Sequence, residues 1–397
     1  MPGNPNTLTN LIPSLYAGLD TVSRELTGFI PAVGRNATAD RAAVGQSVRY
    51  PIAPSGNVSD VSPAMTIPEP TGQAIGNDQI VITKSRAAEF GFAGEEVLGL
   101  NNNGPGFSPV QADMFAQGLR ALVNEVETDL LVAAVADASR AHGTPGSLPF
   151  QTNVNDVSQL GKILTDNGAP MSERNLIVNT TAGASLRTLY GINTDRDWSS
   201  APMNQQGVLI TPHGMAIRET GQSRSHTAGT AAGATTNDAG YAVGARTITL
   251  ASAGTGTILA GDVISFAGDS NQYVVTAGDA DVSNGGTITI QEPGLRQAIP
   301  EATTAITVTN DGGSPATADY DAAGVAFYRN AIVLAARAPA LPEGGDVATD
   351  SMMMVDPRSG LPFEVRVYHG YRKVRYEVAL AWGVKAVQPR HVALLLS

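Results

Sequence analysis

Hydrophobic and polar positions change their period several times along the chain. Leu8, Leu11, Ile12, Leu15 and Leu19 recur at helical spacing near the start. From Gly28 to Val48 the chain is too polar to form a core, so residues 1–50 read as an arm that must lie on another surface. Prolines at 51, 54, 63, 68 and 70 exclude long helices from residues 51–100. Within that segment, residues 79–84 (QIVITK) predict a strand, with Met65-Thr66-Ile67 as its partner across a turn at 71–77. A two-stranded excursion with so little core is marginal alone and needs a neighbouring surface. Ser108-Pro109-Val110-Gln111 then supplies an N-cap, a proline at the first helical position and a glutamine three residues after the cap. Val110, Met114, Leu119, Leu122, Val123, Val126 and Leu130 line one stripe, so a helix is predicted from 108 to about 138, interrupted only by Gly118. At about 1.5 Å per residue it spans roughly 40 Å or more and should act as a spine. Gly143-Thr144-Pro145-Gly146 ends it.

Residues 151–222 read as α/β: a helix near Val157–Asp166, a strand at Arg174–Asn179, a helix capped by Thr180 or Thr181 and running through Leu189, and strands at 208–210 and 215–217. Residues 223–322 change character. Gly, Ala, Thr, Ser and Asp dominate, lysine is absent, and short strands recur at 247–250, 262–266, 273–276, 287–290 and 305–308. That spacing predicts a small antiparallel barrel or sandwich inserted into the α/β region. The α/β texture returns with an extended apolar run at 326–334 and strands at 351–355 and 363–368. Val374, Tyr376, Val378, Leu380 and Trp382 then alternate with Arg375 and Glu377 in a long strand of period two. The end, residues 391–396, is short and apolar.

Composition sharpens this picture. Across 397 residues only 15% are charged, against roughly 25% in ordinary soluble proteins. A subunit packed between neighbours would look like this, and so would a secreted β-rich protein. The net charge is −11 and the chain holds four lysines, at 84, 162, 373 and 385, which argues against tight binding along a phosphate backbone. With no cysteine there is no disulfide, thiolate metal site or thiol nucleophile. The opening residues lack a basic and an apolar signal region, and no apolar run reaches the ~18 residues of a membrane span. Synthesis and folding in the cytoplasm, with no membrane partner, are therefore expected.

Candidate chemistry is sparse. The five histidines, at 142, 213, 226, 369 and 391, form no metal-ligand spacing. Gly104-Pro105-Gly106 precedes the long helix, but no lysine follows and no strand precedes, so it reads as a helix entry and not a phosphate cradle. Asp279-Ala280-Asp281-Val282-Ser283-Asn284 resembles the start of a calcium loop but has Ile290 at position twelve, so it reads as a hairpin turn. Met352–Met354 reads as a buried strand. Glu125, Glu127 and Asp129 lie on the predicted spine helix, Glu125 and Asp129 on one face, without a pocket or partner in view. No catalytic, cofactor-binding or metal-binding residue is nominated, and the chain is expected not to be an enzyme.

The order of these segments, together with Ala326-Phe327-Tyr328-Arg329-Asn330-Ala331, Pro357-Arg358-Ser359-Gly360-Leu361, Val367-Tyr368-His369-Gly370-Tyr371 and the run from Gly383 to Pro389, resembles the tailed-bacteriophage major capsid proteins with the Johnson fold. More closely it resembles the coat-protein family of the Salmonella short-tailed phage, whose members carry an inserted β-barrel domain; residues 259–266 (LAGDVISF) resemble a barrel strand. The resemblance implies an α+β capsid fold with arm 1–50, extended loop 51–100, peripheral domain 101–150 with the spine helix, axial domain 151–222 and 323–361, inserted barrel 223–322, long peripheral strands 362–386 and C-terminal end 387–397. It further implies self-assembly through pentamers and hexamers into an icosahedral shell, scaffolding and portal partners, and double-stranded DNA enclosed without sequence-specific binding. The implied location is the virion capsid, assembled in the bacterial host cytoplasm. Some members of the wider fold join subunits by a Lys–Asn bond. Lys84 is the obvious donor position, but the members nearest this sequence lack that chemistry and it is not expected here. A nanocompartment shell, or an enzyme or carbohydrate-binding protein with a β accessory domain, are the alternative readings.

Overall fold

The computed structural model describes residues 27–52, 76–103, 106–192, 208–210, 214–309, 319–355 and 360–397, with Pro63 and Met65 between. The predicted opening helix at 8–19 and most of the predicted strand at 65–67 lie outside the described residues. The fold is mixed α+β, with few helices and many strands.

Its axis is the pairing of one helix with one strand. The helix Phe107–Ala136 has thirty residues, and the strand Lys373–Ala386 has fourteen. At about 1.5 and 3.3 Å per residue both span roughly 45 Å. Alternation decides the contact. Val378, Leu380 and Trp382 are buried against Phe115, Leu119, Leu122, Val126 and Leu130, with Tyr376 packed beside them. Along one edge of the long strand runs Lys84–Ala93. Along its other edge lie Pro362–Gly370 and then Ile332–Pro339: Ala379 faces both Ala87 and Glu364, and Ala381 faces both Ser85 and Arg337. Asp350–Val355 and Gly34–Ala42 complete this six-stranded sheet.

A second sheet is buried on both faces, which is why its strands read as nearly continuous apolar runs. Leu176 and Val178 face the helices Asn155–Asp166 and Thr180–Ile192, while Ile177 between them joins the core of the long helix. The strand Val392–Leu396 divides the same way, with Leu394 and Leu396 toward the long helix and Leu395 toward the short ones.

Residues 228–308 hold a third core, built from Ile248, Leu250, Ile264, Phe266, Tyr273, Val275, Ile288, Ile290 and their neighbours. Its strands, Thr247–Leu250, Val263–Phe266, Gln272–Ala277, Gly286–Ile290 and Ile306–Val308, pair antiparallel. They continue the second sheet through Gln272 and Tyr273, which pair with Ala141 and Arg140.

Several local expectations shift. The partner of the strand at 76–81 is Ser47–Ile52, with Val48 opposite Ile80, and a new strand begins at Lys84. The chain must leave the hairpin there because Ile80 and Ile82 are buried over Val333, Ala335 and Ala381 of the main sheet. Gly383 permits this crossing: a Cβ there would lie 2.0 Å from the Val81 carbonyl oxygen. The long helix starts at Phe107, with Gly106 as cap at φ 93° and no side-chain cap from Ser108. Phe107 packs edge-on against Phe92 at 5.0 Å, so aromatic packing, and not the serine hydroxyl, sets the boundary. Phe115, in contact with Phe90 and Tyr376, takes the inward position predicted for the exposed Met114. The cap of the helix at 180 is Asn179, whose Oδ1 accepts from Ala182 N at 2.8 Å. The run 326–334 is two strands in different sheets, parted by a turn at Arg329–Ala331. Glu173 and Val387 take the turn's backbone groups, and so carry the chain across from one sheet to the other.

Candidate functional site

The buried polar groups are the natural place to look for chemistry, since a charge away from water must be paired. The long helix carries one buried carboxylate, Glu127, and a half-buried one, Asp129. Glu127 is 1% exposed and accepts from the amides of Gly28 (2.6 Å), Phe29 (2.7 Å) and Ile30 (3.1 Å) and from the Thr220 hydroxyl (3.0 Å). Burial pushes its carboxyl above the usual range, and the amides of Phe29 and Ile30, then Thr220 and Gly28, oppose that. Its neighbour Asp129 accepts from the Trp382 indole at 2.8 Å and from Lys84 Nζ at 2.8 Å, while Glu125 holds the same Nζ at 3.0 Å.

Partial burial works to lower the Lys84 ammonium, but its hydrogen bonds to Asp129 and Glu125 and their charges outweigh this and hold it above its ordinary value. A nucleophilic amine must be neutral. Lys84, clamped by two carboxylates and 5.9 Å from the Trp382 ring centroid, is a structural cation instead. The carboxylates at 125 and 129, which had no partner in the sequence, share this one.

On the other face of the main sheet, Glu364 (1% exposed) is gripped by both terminal nitrogens of Arg41 at 2.8 and 2.6 Å and lies 3.3 Å from Arg366 Nε. Arg366 also pairs with Asp346. A fourth joint lies where the chain enters and leaves residues 228–308. His226 pairs with Tyr320 across the strands 225–227 and 319–328, and its Nε2 lies 2.8 Å from the fully buried Asp262. Asp262 also accepts from the amides of Gly229 and Leu259. Sequence reasoning missed this pair because 36 residues separate its members.

The remaining histidines do not converge. His142 pairs with Asp156 at 3.3 Å, His369 is exposed on a hairpin, and His391 is buried at the end of the second sheet; His213 lies outside the described residues. No group of metal-ligating side chains occurs among the described residues. The turn 279–284 is a hairpin connection in which the Asp281 carboxylate accepts from Ser283 N. A groove of about 680 Å³ is lined by Leu148, Thr180, Thr181, Ser185, Thr188 and Leu189, with no titratable side chain.

Each of the four polar joints fastens chain segments that are remote in sequence, and none presents a nucleophile with a base to an open cleft. Tyr371 (89%), Val347 (88%), Leu98 (61%), Val243 (60%) and Val355 (58%) are exposed large apolar side chains.

No protein-family model matches the chain, and no curated protein sequence matches it. Among solved structures, its fold is similar to the capsid of the cyanophage P-SCSP1u, at 13% identity and a TM-score of 0.46, over 94% of this chain and 88% of that one. A structure of Gordonia phage Cozz aligns at 11% identity and a TM-score of 0.43, over 94% and 86%. A virus-like particle from Pyrococcus furiosus aligns at 10% identity and a TM-score of 0.39, over 96% of each chain. With these identities below 25% and TM-scores below 0.5, the likenesses carry no argument by themselves, and function must be read from the chain's own residues.

Proposed function

We propose that the chain is a major capsid protein that self-assembles into the icosahedral shell enclosing the genome of a tailed bacteriophage. One observation carries the reading: buried charge serves to join distant segments, while exposed apolar side chains are spread over several segments of the chain and do not line one cleft. An enzyme concentrates its polar groups in one cleft. A shell subunit distributes modest contacts around its perimeter, and many such contacts repeated in a closed symmetric array give large total stability.

In this reading the arm 1–50 and loop 51–100 lie on neighbouring subunits. Residues 101–150 and 362–386 form the peripheral domain, 151–222 and 323–361 the axial domain, 223–322 an inserted β-barrel that helps set shell geometry, and 387–397 the C-terminal end. Scaffolding and portal proteins are the expected partners, and enclosed DNA is held without sequence-specific contacts. The protein would be assembled in the host cytoplasm and end in the virion. The test is expression with and without a candidate scaffold, followed by negative-stain electron microscopy. Closed shells or tubes of uniform curvature are expected; a monodisperse monomer under both conditions would overturn the proposal.

A further inference from the structure

Charge is unevenly divided along the chain. Residues 223–322 hold ten Asp and Glu against three Arg and no Lys, a net −7 out of the chain's −11. Residues 366–375 hold the opposite excess, with Arg366, Arg372, Lys373 and Arg375 and no carboxylate. This second stretch ends the hairpin formed by Pro362–Gly370 and Lys373–Ala386. Arg366 pairs with Asp346, and Arg375 pairs with Glu89. Arg372 and Lys373 are exposed and have no carboxylate partner among the described residues. Tyr371, 89% exposed, stands between them and His369, with the Arg372 guanidinium 5.7 Å from its ring. Arg372 itself sits at φ 56°, and its carbonyl is tied to Gly94 N at 3.0 Å, so the tip is fixed in shape.

The tip therefore offers an exposed aromatic beside two cations that have no carboxylate partner among the described residues. Its complement is a surface with exposed carboxylates beside apolar side chains. Residues 223–322 supply Asp238, Asp281 and Glu301, all exposed, with Val243 (60%) and Leu259 (41%) on the same unit. The long strand keeps the tip from this unit within one chain. The unit joins the fold through Arg140–His142 and Val392–Leu396, which follow the opposite end of that strand, about 43 Å from the tip at 3.3 Å per residue.

We propose that the hairpin tip Gly370–Lys373 docks on the acidic outer surface of residues 223–322 of a second copy of this chain. This rests on the shell reading and names one of its contacts. Complementary charge would steer the approach and fix register, and Tyr371 would supply the desolvated anchor.

Carbodiimide coupling, which joins an amine to a carboxylate in direct contact, tests it well, because Lys373 is one of only four lysines. Particles are assembled from equal parts of unlabelled and isotopically heavy protein, coupled and digested. The expected product joins Lys373 to a carboxylate within 223–322 in mixed-isotope form. The double variant R372E/K373E, with subunit melting as in the wild type, is expected to lower particle yield roughly tenfold through like-charge contact, and to weaken its dependence on salt. Coupling of Lys373 only to other regions or only within one chain, or an unchanged yield, would overturn the contact while leaving the shell reading intact. Retention of double-stranded DNA by the wild type, lost in R372E/K373E, would overturn it in favour of a nucleic-acid contact. Failure of the wild type to form particles would overturn both.

Discussion

The layer of the long helix and the unit at 228–308 solve the problem of stability in opposite ways. In the first, the core draws on residues 29–33, 115–141, 320–336 and 354–396, on Ile177 and, from the second region, on Val263 and Val274, so no stretch of sequence contains it. Ion pairs at Lys84 and Glu364, and the amide hydrogen bonds of Glu127, tie this layer together over 41 to 323 positions. In the second, sixteen buried side chains lie within one continuous run of 81 residues. The difference teaches where cooperativity should reside. Loop closure before contact is costly in the first region and cheap in the second. The second should therefore open as a unit of its own, with the His226–Asp262 joint at its neck.

The largest expected effect separates the two regions directly. Trp382→Ala removes a fully buried ring and the donor to Asp129, and should cost about 4 kcal/mol, lowering the main calorimetric transition. Ile288→Ala should cost about 3 kcal/mol and lower only the transition of residues 228–308. Movement of both transitions together in either variant would show a single cooperative unit and break the comparison.

A smaller effect probes the stitching. Glu127→Gln places an amide donor among backbone donors that need an acceptor, and should cost about 2 kcal/mol in denaturant unfolding. The wild-type carboxyl is raised in the folded state, so its contribution favours folding at low pH and is lost as pH rises through the folded value. The variant should lose that part of the pH slope, and an unchanged slope would remove Glu127 from the account.

The smallest effect is at His391. Burial first, then the nearby Arg390, lowers its folded value below the ordinary 6.5, while Asn167 opposes them. The unfolded chain then takes up its proton first. The stability this residue confers is complete above pH 6.5 and falls away as pH drops toward the folded value. His391→Phe should flatten the pH dependence of the thermal unfolding midpoint below about pH 6.5.

Much of the secondary structure was legible because it rests on period. The alternation at 374–382, the helical stripe from Leu119 to Leu130 and the strand at 174–179 all follow from one buried face or two. The five short strands of the β-rich unit were marked by their turn residues. The joints were not legible. Nothing local marks Glu127 as different from Glu125, yet one is buried under three amides and the other shares a half-buried lysine.

What the sequence determined by itself, then, was the kind of each element and the absence of any clustered catalytic motif, since both depend on neighbours a few residues apart. Only the tertiary structure decided which elements share a sheet, where the run 326–334 breaks between two of them, and which carboxylate meets which cation. Those outcomes depend on contacts between residues tens to hundreds of positions apart, where spacing along the chain carries no distance information.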